Sequence, residues 1–261
     1  MKSLSAEQLT IGYEERIIVQ NLNLDIKPGK ITAIIGPNGC GKSTILKTMA
    51  RLHPASSGAV YLDGKMIHKT PTKEIAKKLA ILPQSPEAPD GLTVFELISY
   101  GRTPHQSGLS RLTQHDQTMI EWALDVTGLK HLQNQPVDTL SGGQRQRAWI
   151  AMSIAQETDL LLLDEPTTYL DLAHQLEVLH LLEKLNRDDK RTIIMVIHDL
   201  NQAARFAHQL VALKQGEIVK QGTPDQVINT EILRQVFNIE TDIVTDRRTG
   251  KPAMLSYELI K

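Results

Sequence analysis

One stretch narrows the folds open to this chain more than any other. Gly36-Pro37-Asn38-Gly39-Cys40-Gly41-Lys42-Ser43 matches G-x-x-x-x-G-K-[ST]; before it runs Ile31–Ile35, β-branched and almost wholly apolar like a buried strand, and a helical pattern begins near Ser43. Strand, glycine-rich turn and helix in that order build an anion cradle, because the glycines let successive N–H groups turn inward and the helix dipole favours bound negative charge. Lys42 is placed to reach the β- and γ-phosphates of a nucleotide, and Ser43 to ligate Mg²⁺. Cys40 lies inside the loop, where a helix start lowers thiol pKa. A redox role and a small residue that merely fits are both open, and the second asks less of the chain.

Residues 160–163, four leucines, read as another buried strand and end on Asp164-Glu165. Adjacent strand residues face opposite ways, so the two carboxylates can divide their labour, Asp164 in the Mg²⁺ shell and Glu165 orienting and deprotonating an attacking water. Solvated acids closing a strand look the same in isolation; the phosphate cradle favours the chemical reading. Leu140-Ser141-Gly142-Gly143-Gln144 is a second glycine-bearing helix start, with Ala148, Ala151, Met152 and Ala155 at helical spacing behind it. One nucleotide cannot easily occupy both. A head-to-tail pair with two-fold symmetry would sandwich two nucleotides, each touched by both chains.

Around these motifs, residues 8–13, 16–26 and a hairpin over 58–67 with Asp63-Gly64 at its turn predict an antiparallel β region. Residues 92–132 are mainly helical, opened by the capping box Thr93-x-x-Glu96, and read as an inserted lobe. A helix over about 172–185, between buried strands at 160–163 and 192–197, implies a parallel sheet. A hairpin over 210–220, a helix opened by Thr223-Pro224 and a small β appendage over 241–261 complete the pattern.

Composition closes several routes. Lys plus Arg number 29 against 30 Asp plus Glu, a formal net charge of −1, and aromatics are 4% of 261 residues. Neither a basic footprint for nucleic acid or anionic lipid nor a stacking platform for single strands is present. One cysteine excludes an intrachain disulfide framework or a Cys-rich metal site and suits a reducing cytosol, and the nine histidines show no ligand spacing. The start has no apolar signal core and apolar runs such as 193–197 fall far short of a bilayer, so the chain is expected neither to span a membrane nor to be exported.

With its motifs in this order the chain resembles an ATP-binding-cassette ATPase, the nucleotide-binding subunit of an ABC transporter. Leu140 to Gln144 matches that family's signature loop, which kinases, GTPases and AAA-type ATPases lack, and the resemblance covers nearly the whole chain. It implies an α/β P-loop NTPase fold: a RecA-like parallel core, an N-terminal antiparallel β subdomain and an inserted α-helical signature lobe. Residues 1–83 and 157–240 would form core and β subdomain, about 84–156 the lobe and 241–261 the appendage. The implied cofactors are ATP and Mg²⁺. Tyr13 would stack on adenine, Gly36, Pro37, Asn38, Gly39, Cys40, Gly41, Lys42, Ser43 and Thr44 would surround the phosphates, and Ser43, Gln84 and Asp164 would serve the metal. Glu165, Gln84 and the switch histidine His198 would be catalytic, while Ser141, Gly142, Gly143, Gln144 and Asp171 would face the nucleotide or the partner chain.

Each has a plainer alternative. Tyr13 in a β stretch suits a half-buried core, Gln84 an ordinary loop amide, His198 a satisfied core histidine, and Arg145 with Arg147 a solvated helix face. Pro83-Gln84-Ser85-Pro86, residues 94–102, 167–171 and 198–203 look like the ferric-siderophore, haem and vitamin B12 import group, siderophores first. The implied partners are a second copy, membrane permease subunits whose helix enters a cleft at 83–104, and indirectly an extracytoplasmic binding protein; no nucleic acid is expected. The implied location is peripheral, on the cytoplasmic face of the cell membrane. A soluble ABC module would bring paired cassettes, a long coiled coil or a basic tail, and a P-loop kinase would lack the signature loop.

Overall fold

The computed structural model describes residues 4–14, 16–106 and 111–260. Packing divides the chain into two units, residues 1–69 with 192–261, and residues 70–191. The lobe expected over 84–156 falls inside the second, which also takes in strands Leu79–Leu82 and Leu160–Asp164 and helix Leu172–Asp189.

In the first unit, Leu4–Tyr13 lies between Arg16–Ile26 and Ser57–Leu62, antiparallel to both, with the short Lys65–Met66 beyond. Leu4, Ala6, Leu9 and Ile11 are buried, so one face of the central strand supplies a core. The turn at Asp63 and Gly64 has φ of 54° and 73°, the two positive values that a type I′ hairpin needs and that Asp-Gly tolerates. A second set of strands carries Ile31–Ile35 between parallel neighbours Thr192–Val196 and Gln209–Lys214, the last pairing antiparallel with Glu217–Gly222. Ile31–Ile35 is buried at every position, which is why it had to be apolar on both faces. The expected appendage is a two-stranded sheet, Ile239–Thr245 with Pro252–Leu259. Asn201 anchors it from the helix Leu200–Phe206, donating to the Met254 carbonyl at 3.1 Å and accepting from the Met254 N–H at 2.7 Å.

In the second unit, Leu79–Leu82 and Leu160–Asp164 pair in parallel, Leu79 opposite Leu160. Helix Val94–Tyr100 opens on the expected capping box, Thr93 Oγ1 accepting from the Glu96 N–H at 3.2 Å and Glu96 accepting from the Thr93 N–H at 2.9 Å. Helix Gln114–Val126 is capped in the same way by Thr113 and Asp116. Among the described residues no helix is long and apolar enough to cross a membrane.

Asp116 has a second duty. It accepts from Arg102 Nε at 2.8 Å, and Arg102, 1% exposed, also donates to the Ala155 carbonyl at 2.7 Å and to Glu157 at 3.1 Å. This guanidinium ties the end of helix Gly142–Ala155 to the start of Gln114–Val126. Burial opposes ionisation of Asp116, but hydrogen bonds from Arg102 and Thr113 win and lower its carboxyl from 3.8 to about 2. The folded value is the depressed one, so the stabilisation, about 2 kcal/mol, is complete above about pH 4 and disappears as pH falls through about 2. Asp116→Asn is expected to cost about 3 kcal/mol in urea unfolding near neutral pH, because a buried guanidinium loses its charged partner. The variant's stability should also fall less steeply in acid than the parent's.

Candidate nucleotide site

The first unit builds the cradle. Helix Lys42–Met49 begins after Gly41, whose φ of 100° lies in the left-handed region and whose Cβ, if it had one, would press on Val19 at 3.0 Å. Lys42 is buried, and its ammonium donates to the carbonyls of Gly36 and Pro37, both at 2.9 Å. Two of three N–H bonds thus hold it across its own loop, and the third suits a phosphate oxygen. Burial pushes the Cys40 thiol above its ordinary pKa even though Lys42 pulls it down, so the thiolate a redox role needs is disfavoured. His198 follows strand Thr192–Val196 and is exposed, which sets aside the core reading of that residue. Asp199 beside it caps helix Leu200–Phe206, accepting from the Gln202 N–H at 2.8 Å. Tyr13 is 48% exposed, and its ring centroid lies 4.3 Å from that of His53. His53 in turn reaches the Gly12 carbonyl at 3.2 Å. No spacing signal in the chain pointed to His53.

The second unit gathers the acidic residues. Asp164 ends its strand fully buried, and Glu165 adopts a φ of 55°, rare outside glycine. Glu165 has therefore left the strand: its separation from Asp164 comes from this left-handed turn and not from the strand alternation expected of the pair. Its Oε2 accepts from Gln84 Nε2 at 2.6 Å and from Thr168 Oγ1 at 2.9 Å. Gln84 is thus joined to the acid, beyond what an ordinary loop amide does. Thr168, three residues past Glu165, is a partner the sequence reading left without a role. Ser43 in the first unit, and Gln84 and Asp164 in the second, each carry a side-chain oxygen of the hard kind that Mg²⁺ takes, so the chemistry of each fits the metal that the family implies.

The same unit holds the second glycine-bearing helix start. Ser141 caps helix Gly142–Ala155 in a reciprocal box, Oγ accepting from the Gln144 N–H at 3.3 Å while Gln144 Oε1 accepts from the Ser141 N–H at 3.0 Å. Gln144 is thus part of the cap. Arg145 is exposed and donates to the Asp138 carbonyl at 2.8 Å, while Arg147 pairs with Glu177, a correction to the purely solvated face expected of it. Asp171 caps helix Leu172–Asp189, and hydrogen bonds from His174 hold its carboxyl below the usual range.

Two glycine-bearing helix starts in one chain, one behind a phosphate cradle and one capped by a serine, define a cassette ATPase. The chain belongs to the ABC transporter family, whose model matches residues 19–168. It is 63% identical over 261 residues to the iron(3+)-hydroxamate import ATP-binding protein FhuC of Bacillus subtilis (strain 168), a match over 100% of this chain and 97% of that one. Among solved structures, a metal-chelate type ABC transporter in an inward-facing conformation agrees with a TM-score of 0.84 at 31% identity, over 97% of this chain and 96% of that one. The cassette MJ0796, dimeric and bound to ADP and Pi in a post-hydrolysis state, agrees with a TM-score of 0.74 at 30% identity, over 84% and 98%.

Proposed function

We propose that this chain is the ATP-hydrolysing subunit of an importer for ferric siderophores of the hydroxamate class. It works as a head-to-tail pair, held peripherally on the cytoplasmic side of the membrane by permease subunits. The observation that carries the reading is end-to-end identity of 63% to a ferric hydroxamate importer's ATP-binding protein, with cradle, acidic pair and signature loop all in place.

When bound, ATP supplies the γ-phosphoryl group and Mg²⁺ neutralises its charge. Lys42 turns its remaining N–H to the β- and γ-oxygens, Gly36 to Gly41 and Thr44 enclose the phosphates, and Ser43, Gln84 and Asp164 would hold the metal. Tyr13 stacks on the adenine. Glu165, fixed by Thr168 and Gln84, orients the attacking water and takes its proton, and His198 steadies the γ-phosphate. Ser141, Gly142, Gly143 and Asp171 complete the site of the opposite copy. In support, Tyr169 and Leu172 flank Asp171 at 91% and 65% exposure, apolar surface of the kind a partner covers. A cavity of about 310 Å³ beside the Gln84 segment, lined by Pro86, Pro89, Val137, Arg145 and Trp149, suits a docking permease helix.

The test is uptake of radiolabelled ferric hydroxamate by cells lacking this chain. Uptake is expected to stop, to return with the intact chain and not with Lys42→Ala, and a polytopic membrane protein should copurify. Normal hydroxamate uptake beside lost haem or vitamin B12 uptake would move the cargo to those ligands.

A further inference from the structure

Gly143 is pressed by a residue that the cassette motifs leave unused. A methyl group placed on it would come within 2.4 Å of His174 Cδ2 and 2.8 Å of Cγ, so the imidazole lies directly on the glycine backbone. Neighbouring Gly142 faces Leu170, whose Cδ2 would stand 3.7 Å from a methyl there. The ring is fixed from its other side. Its Nδ1 lies 2.8 Å from Asp171 Oδ1, and a carboxylate can only accept, so Nδ1 carries the proton. The same Oδ1 accepts from the His174 N–H at 2.9 Å, capping helix Leu172–Asp189.

We infer that His174 is a positioning residue that locks the helix start at Gly143 to Asp171, so that the two loops offered to a second copy shift as one piece. This rests on the reading that Ser141 and Gly143 serve the nucleotide of the opposite copy. A nucleotide seated there is met by a helix start whose lateral place is set by a ring, and the ring is held by the loop that meets the same partner. Disturbing either loop moves the other, which ties the two sites of the pair together. Glycine at 143 is required by the ring above it as well as by approach to a ligand.

The experiment uses the full-length chain with Mg²⁺ and ATP, measuring turnover, affinity for a fluorescent ATP analogue, and melting temperature. His174→Ala is expected to bind the analogue like the parent and to lose turnover about tenfold, since a slightly displaced group is costly to the reaction and not to binding. Gly143→Ala, its methyl forced against the ring, should lose about 100-fold. The decisive arm is the pair together: Gly143→Ala with His174→Ala should turn over no worse than His174→Ala alone, recovering about tenfold, because the neighbours are coupled. His174→Phe, which keeps a ring and loses the bond to Asp171, should lose cooperativity in ATP concentration. Losses that simply multiply in the double variant, or a His174→Ala defect explained by a lower melting temperature alone, overturn the inference. Ser141→Arg separates the levels. If that variant keeps full turnover, the head-to-tail reading fails; if it is inactive while His174→Ala matches the parent, only the role of His174 fails.

Discussion

Glu165→Gln is expected to bind ATP as the parent does and to hydrolyse it about 10²–10⁴-fold more slowly, the range that a positioned general base contributes. The amide keeps the size and shape of the carboxylate, and its oxygen can still accept from Thr168 or Gln84, so the fold of the site should survive. What it loses is the capacity to take a proton from water. Two donors, Gln84 Nε2 and Thr168 Oγ1, converge on Oε2 of Glu165 and fix the carboxylate in place. A carboxylate held in a left-handed backbone is also aimed by more than its own rotamer, so a nearby acid cannot simply substitute. Binding without turnover should trap the closed pair, visible as an ATP-dependent dimer in size-exclusion chromatography. Parental hydrolysis by this variant removes Glu165 from the mechanism and leaves its contacts structural.

Ser141→Arg should abolish steady-state hydrolysis, by about 10²-fold or more, while leaving ATP binding by the isolated chain intact. The serine is exposed, and its small side chain bonds back to its own helix start. Arginine there removes the cap and, in the head-to-tail pair proposed above, would set a long cation against the opposite copy's triphosphate and Lys42. Loss of the cap alone costs about 1 kcal/mol and is reproduced by Ser141→Ala, so a variant pair distinguishes a weakened helix from a blocked interface. The signature loop has no role at a nucleotide if Ser141→Arg turns over like the parent.

These chemical elements were legible because their parts are close in sequence. The cradle spans eight consecutive residues, and each capping box relates a residue to another three positions on, a spacing set by the first turn of a helix. The buried strand Ile31–Ile35 and the turn at Asp63-Gly64 were legible for the same reason, since burial on two faces and positive φ each demand particular residue types. Asp116 already shows the limit. Its cap follows from Thr113, but its ion pair with Arg102 crosses 14 residues and no period announces it. Expectation also erred at Glu165, where alternation along a strand was assumed and the backbone turns instead.

By itself, the amino-acid order determined which short segments turn on glycine, end a strand in acid or start a helix, because these depend on backbone geometry over a few residues. Only the tertiary structure decided that Gln84 meets Glu165 across 81 residues, that His53 stands beside Tyr13, and that the ring of His174 lies on Gly143. Such meetings are made when distant faces pack, and hydrophobic spacing states that a face will be buried without naming what it will be buried against.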